Sequence, residues 1–235
     1  ICIVALLGNL TGSSQFFNPL AFYNGVAKQS LRFDDGSSAY LTRTPSSAGN
    51  RKTWTWSGWV KRGNIGGTHI VFSAVNPTFD GITFEQDKLR LTLASGGTAE
   101  IETSVVFRDT SAWYHIVAVV DTTNGTSTDR LRIYINGERI TSFGSASYPS
   151  QNYDGFINQT IEHNIAKRVG SSFFFDGYMS EVNFVDGTAL DPTSFGEFKN
   201  GVWIPIEYTG SYGTNGFRLQ FNQTGTGTAS ASTIG

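Results

Sequence analysis

Residues 131–135, Leu-Arg-Ile-Tyr-Ile, alternate in character, with Leu131, Ile133 and Ile135 on one side and Arg132 and Tyr134 on the other. That period of two belongs to a half-buried strand, because successive side chains of extended backbone point to opposite faces. Asn136-Gly137 follows at once and supplies the positive φ values of a tight hairpin, so Glu138 begins a returning antiparallel strand. Comparable runs, bounded by Gly, Pro, Asn or Asp, predict strands at 31–34, 38–42, 53–62, 69–75, 80–85, 88–94, 99–107, 113–121, 130–136, 138–142, 160–167 and 176–185. Within 53–62, Trp54 and Trp56 share one face and Trp59 takes the other, which assigns Trp54 and Trp56 to the core. Helical signal is confined to Pro192–Phe198, with Asp191 as its cap and Pro192 in the first turn. The pattern predicts an all-β protein.

Four segments carry a family resemblance, in order along about 160 residues: SLRFDDGSSAYL (30–41), TWTWSGWVKR (53–62), AWYHIVAVVD with LRIYING (112–137), and FFFDGYMSEVNFVDGTALDP (173–192). They resemble the strands of laminin-G-like and pentraxin-like domains of the concanavalin A superfamily. The resemblance implies a jelly-roll sandwich of two antiparallel sheets. Two further segments, ALLGNLTGSSQFF near the start and GVWIPIEYTGSYGTNGFRLQF at 201–221, resemble virion proteins of marine tailed bacteriophages. That second resemblance implies a virion surface setting, with other virion proteins as partners and host surface glycans as a candidate ligand.

Three parts follow along the chain: an N-terminal arm at 1–29, the laminin-G-like sandwich at 30–192, and a C-terminal extension at 193–235 that ends in a Thr/Gly/Ser tail of flexible composition. The arm holds Phe16, Phe17 and Phe22 among other large apolar residues, too many for a solvated tail. It packs either on its own sandwich or on a partner subunit, and an apolar arm beside an open sheet edge predicts a homo-oligomer.

Composition narrows the function classes. A chain of 235 residues with 27 Gly and 14% aromatics has the size and turn content of one large sandwich. The formal charge is −2 and the 17 Lys and Arg are scattered, so there is no basic stripe for nucleic acid. No stretch approaches the roughly 20 apolar residues of a membrane-spanning helix. Ile1–Leu7 is apolar but lacks the basic start and the length of a secretory signal, and the first residue is not Met. Cys2 is the single cysteine, which excludes an intramolecular disulfide within this sequence.

The chemistry read from the residues is that of binding rather than catalysis. Glu100 and Glu102 place two carboxylates on one strand face, in a pattern resembling the Glu-x-Asp-x-x-Glu strand of β-glucanases on this fold, but no acid follows among Thr103–Phe107. His69, His115 and His163 lie in separate segments, His115 at a position where a polar residue of the family commonly faces outward, and no Gly-x-Ser-x-Gly elbow is present. No catalytic residue is assigned, and a glycoside hydrolase is the distant alternative. The family resemblance implies a calcium site at one rim, for which Asp34, Asp35, Asp121 and Asp176 are the candidates, oxygen donors suited to a hard cation. Ser180-Glu181 stands where the family often has Asp-Glu, and the competing reading is that Asp176 and Asp186 stabilise Asp-Gly turns.

Residues 145–159 form the longest connection without a pattern and carry Tyr148, Asn152, Tyr153, Asp154 and Phe156. Aromatic rings stack on sugar faces while Asn and Asp read hydroxyls, so these five are the candidate carbohydrate-binding residues, with Tyr208 and Tyr212 as second choices. Two function classes remain: a lectin-like adhesin or decoration module, and a purely architectural capsid or tail attachment protein that has no ligand site.

Overall fold

The computed structural model describes residues 25–93 and 99–222, so Phe16, Phe17 and Phe22 of the arm and the tail beyond residue 222 lie outside the described residues. Two seven-stranded antiparallel sheets dominate. The first runs β1 (Leu31–Phe33), β13 (Gly177–Asp186), β3 (Thr53–Arg62), β8 (Tyr114–Asp121), β9 (Leu131–Ile135) and β10 (Glu138–Arg139), with β16 (Phe217–Leu219) also paired to β13. The second runs β11 (Phe143–Ser147), β7 (Ala99–Thr103), β6 (Lys88–Leu93), β5 (Phe79–Glu85), β4 (Thr68–Val75), β12 (His163–Ile165) and β2 (Leu41–Arg43). A separate hairpin joins β14 (Gly196–Lys199) to β15 (Val202–Pro205). The all-β fold predicted by the strand pattern, and the jelly-roll sandwich of two antiparallel sheets that the family resemblance implies, are the fold observed.

The core lies between the sheets. From β3 it receives Trp54, Trp56 and Val60, and from β8 it receives Ile116, Ala118 and Val120, all fully buried, as alternation requires. Across from them stand Phe72, Ile82, Phe84, Leu89 and Leu91 of the second sheet. Asn136 and Gly137 have φ of 50° and 86°, the positive pair of a tight hairpin turn, and Glu138 pairs back on Ile135.

Part of the outward face of the first sheet is also buried. Val117, Val119, Tyr134 and Val185 form a second apolar cluster, closed by Phe195 and by Leu190, Tyr208 and Tyr212 of the C-terminal segment. Residues 187–219 are therefore built into the sandwich: they cover one face and then return as β16 beside β13. β1 pairs with Gly177–Met179 and β16 with Val182–Phe184, so both share one edge of β13. Between them Glu181 sits at a φ of 46° and the register with β3 slips, a β-bulge at which Arg218 Nε donates to Glu181 Oε2 over 2.9 Å.

Two local expectations are corrected. Pro192–Phe198 is not a helix: a single 3-10 turn spans Pro192–Ser194, and the Asp191 side chain makes no capping bond. Phe195 is drawn into the outer apolar cluster and Gly196–Lys199 pairs with Val202–Pro205, so the backbone groups are satisfied across a hairpin instead. The connection expected to lack pattern at 145–159 begins inside β11, which pairs with β7.

Candidate functional site

Gly177 ends the register of β13 against Arg62, and Phe33 of β1 faces Gly177 from the other side, so the ends of three strands meet at one rim of the sandwich. Asp176 immediately precedes Gly177, and Asp34 and Asp35 immediately follow Phe33. Carboxylate oxygens of Asp34, Asp35 and Asp176 consequently lie within 4.8 Å of one another, with Asp34 and Asp35 exposed and Asp176 buried. Gly63 makes room for this: a Cβ there would stand 2.1 Å from Asp176 Oδ2, and its N–H instead donates to the Asp176 carbonyl over 2.8 Å.

Arg32 Nη2 lies 2.6 Å from Asp176 Oδ1. Three carboxylates against one guanidinium leave a local formal charge of −2. Asn64 Nδ2 donates to Asp35 Oδ2 over 3.2 Å, while Asn64 Oδ1 is buried with no hydrogen-bond partner among the described residues. The donor set is all oxygen and carries excess negative charge, so its chemistry fits a calcium-type ion. The guanidinium of Arg32 also packs 5.2 Å from the centre of the Tyr178 ring, which is 38% exposed.

Asp121 does not join this cluster. It pairs with Thr53 at the start of β3, whereas Gly177 pairs with Arg62 at its end, so the two sites are separated by the length of a ten-residue strand, about 30 Å. Asp121 instead caps its own turn through Thr123 Oγ1, 2.6 Å away. Asp186 is structural as well: its carboxylate accepts from Asn50 N at 2.8 Å, Asn158 Nδ2 at 3.0 Å and Asn215 N at 3.0 Å.

The 145–159 segment occupies the Asp121 rim, opposite the acid cluster. Asn152 N donates to the Thr122 carbonyl, Thr122 Oγ1 to the Tyr153 carbonyl, and Arg51 reaches the carbonyls of Gly155 and Asp154. Phe156 is only 8% exposed and belongs to the core, which corrects its assignment as a sugar-stacking ring. Tyr148 and Tyr153 are partly buried against that same core, and Tyr148 borders a surface hollow of about 290 Å³ with Phe143 and Arg139. Asn152 and Asp154 are exposed. The loop is thus fastened by its backbone, and its rings serve mainly as packing. Of the second choices, Tyr208 and Tyr212 pack on the outer cluster.

Glu100 and Glu102 lie opposite Thr92 and Arg90 of β6. Glu102 is bound by Arg90 at 2.5 Å and Lys88 at 2.8 Å. Burial raises its pKa, but the hydrogen bonds from Lys88 and Arg90 outweigh that and hold the carboxyl below the usual range. This is a cross-strand ion-pair ladder, the opposite of the raised pKa that a general acid needs. His115 corrects its expected place at an open surface: it does point away from the core, yet it is 1% exposed, lying beneath Trp59 and Trp203 with ring centroids 5.0 and 5.9 Å away.

A profile of the concanavalin A-like lectin/glucanases superfamily matches residues 35–194 of the 235. The chain belongs to that superfamily. Solved structures with a similar fold include the binding domain of Paraclostridial Mosquitocidal Protein 1, at 16% identity and a TM-score of 0.50, covering 70% of this chain and 41% of that one. Others are the SAP-like pentraxin of Limulus polyphemus (18% identity, TM-score 0.44, 70% and 75% covered) and domains LG4-5 of the mouse laminin alpha1 chain (9%, 0.49, 83% and 48%). This chain thus spans less than half the length of the toxin and laminin chains it matches. At such identities the likeness is one of fold alone. No curated protein matches the sequence.

What the sequence did not reveal is the tryptophan grouping on the outward face of the first sheet. Trp59 is brought beside Trp203 by the fold of the C-terminal hairpin, and Trp113 joins them. Only the exclusion of Trp59 from the core face hinted at it.

Proposed function

We propose that this superfamily domain is a non-enzymatic glycan-recognition module, carried on a virion surface, whose binding rim is centred on Asp34, Asp35 and Asp176. The observation that carries the reading is the convergence of these three carboxylates within 4.8 Å beside the exposed Tyr178. A calcium ion held there would supply positive charge and open coordination positions for sugar hydroxyls. Tyr178 offers a ring face for the apolar side of a pyranose, and Arg32 keeps both Asp176 and that ring in place. The ion-paired state of Glu102 supports the non-enzymatic part, since a carboxylate held by Arg90 and Lys88 is not poised for acid catalysis. Support for the virion setting comes from the resemblance of the N-terminal and 201–221 segments to phage virion proteins.

The test is a glycan array probed with the full chain in calcium and then in chelator, beside Asp34→Asn/Asp35→Asn. Binding that requires calcium and is lost in the double variant is the expected result. Binding that persists in chelator would remove the rim from the mechanism. No binding to any glycan, with normal incorporation into particles, would establish the architectural alternative.

A further inference from the structure

β11 (Phe143–Ser147) ends the second sheet, and among the described residues no strand pairs with its outer side. A free sheet edge is a template for another strand unless charge, proline or a bulge blunts it. The other edges are guarded. β1 carries Arg32, β16 Arg218, β10 Glu138 and Arg139, and β2 Arg43, while in the small hairpin β14 carries Glu197 and Lys199 and β15 ends on Pro205. β11 reads Phe-Gly-Ser-Ala-Ser, without a charge or a proline. Its register slips only at Gly144, and Ser145–Ser147 then pair regularly with Glu100–Glu102.

The same side of the sandwich is open. Ala146 stands opposite Ile101, a fully buried core residue, and so lies on the core side of its sheet, yet Ala146 is exposed. Beside it Leu131, Ile140, Phe143 and Tyr148 line a hollow of about 290 Å³, and all four belong to or pack on the core. At the start of the strand the Ser104 N–H donates to the Ser142 carbonyl over 3.2 Å, and Val105 and Val106 follow Ser104 with 49% and 44% exposure. Apolar surface gathered beside an unguarded edge is the mark of an interface.

Charge selects the occupant. In a two-fold contact each residue near the axis meets its own copy, so a charged edge would set like against like. On β11 that penalty is absent: Ser145 and Ser147 are neutral, and the neighbouring Glu102 is already bound by Lys88 and Arg90. The small side chains at 144–147 also let a second backbone approach closely. We propose that two copies of this chain pair β11 with β11, antiparallel about a two-fold axis, so that their seven-stranded second sheets join into one continuous sheet. The added strand covers Ala146 and borders the hollow, removing from water apolar surface that a single chain leaves open. The inference is independent of the glycan reading, which concerns the acid rim.

Sedimentation equilibrium of the full chain is the first measurement, and a dimer is expected. Ser145→Lys/Ser147→Lys should weaken that dimer about tenfold or more, because like charges then face each other across the axis. Thr42→Lys, at an exposed position of edge strand β2, should leave it unchanged. In a Cys2→Ser background, at least one of Ser145→Cys, Ala146→Cys and Ser147→Cys should form an inter-chain disulfide several-fold faster than Thr42→Cys, since opposed residues of paired strands lie within bridging distance. The crosslink decides the matter if the Lys variant fails to fold. A monomeric parent would overturn the proposal. So would a dimer that tolerates Ser145→Lys/Ser147→Lys, or one whose edge cysteines crosslink no faster than the control.

Discussion

Trp203 donates its indole N–H to Nδ1 of His115 over 2.9 Å, joining residues 88 positions apart. Because Nδ1 accepts, the proton sits on Nε2, which lies 2.9 Å from the Ser57 hydroxyl oxygen as its acceptor. A buried neutral imidazole thus locks the C-terminal hairpin to the centre of the first sheet. The Trp203 ring is seated against two glycines: an added Cβ would stand 2.6 Å from it at Gly137 and 2.4 Å at Gly196. Gly137 therefore serves its own turn and the closure of the outer face.

Replacing Trp203 by Ala should destabilise the domain by about 3–5 kcal/mol, the usual cost of removing a large ring from a packed site. Trp203→Phe should cost about 1–3 kcal/mol, since it keeps an aromatic but leaves His115 Nδ1 without a donor. Denaturant midpoints measure both; an unchanged midpoint in Trp203→Phe would show that the hydrogen bond contributes nothing, and equal losses in the two variants would show that the ring's packing adds nothing beyond it.

Acid should weaken the fold well before its carboxylates titrate. Burial pushes the pKa of His115 down to about 3, and burial together with Arg43 pushes that of His163 down to about 4 although the Ile161 carbonyl raises it. Unfolded, both titrate near 6.5. The unfolded chain thus takes up protons that the folded chain refuses, so stability present above about pH 6.5 is lost as the pH falls toward the folded values. Urea midpoints across that window should decline with acid, and the slope should lessen in His115→Gln. A flat profile in the parent would contradict the burial of both rings as neutral species.

Arg62 is fully buried and its Nη2 lies 2.9 Å from Asp87 Oδ1. Burial raises the Asp87 pKa, but the Gly66 N–H, Arg108 and Arg62 together hold it down to about 2. Asp87→Asn should cost about 3–5 kcal/mol because it strands a buried guanidinium, whereas Arg62→Met/Asp87→Leu should recover much of that loss. Calorimetry of the three proteins decides the point, and a double variant no more stable than Asp87→Asn would count against the stranded charge.

Tyr148→Ala/Tyr153→Ala should lower thermal stability while leaving glycan binding at the acid rim unchanged, because both rings pack on the core at the opposite end of the sandwich. Lost binding with an unaltered melting temperature would instead return recognition to the 145–159 segment.

Much of the fold was legible along the chain because its causes are local. Alternation in 131–135 and the φ preferences of Asn136-Gly137 act within a few residues, so strand, turn and inner face follow without knowledge of the rest. Trp54 and Trp56 went to the core for the same reason. Asp34, Asp35 and Asp176 were recognisable as oxygen donors at strand ends, but only the pairing of β1 and β3 with β13 brings them to one rim and sends Asp121 to the other. The outward face was decided by tertiary structure alone. Alternation states which side of β8 points away from the core, and it says nothing about what arrives to cover that side. Phe195 and Trp203, 70 to 90 positions downstream, bury Val117, Val119 and His115 there, since apolar surface left open on one layer is removed from water by whichever distant segment packs upon it.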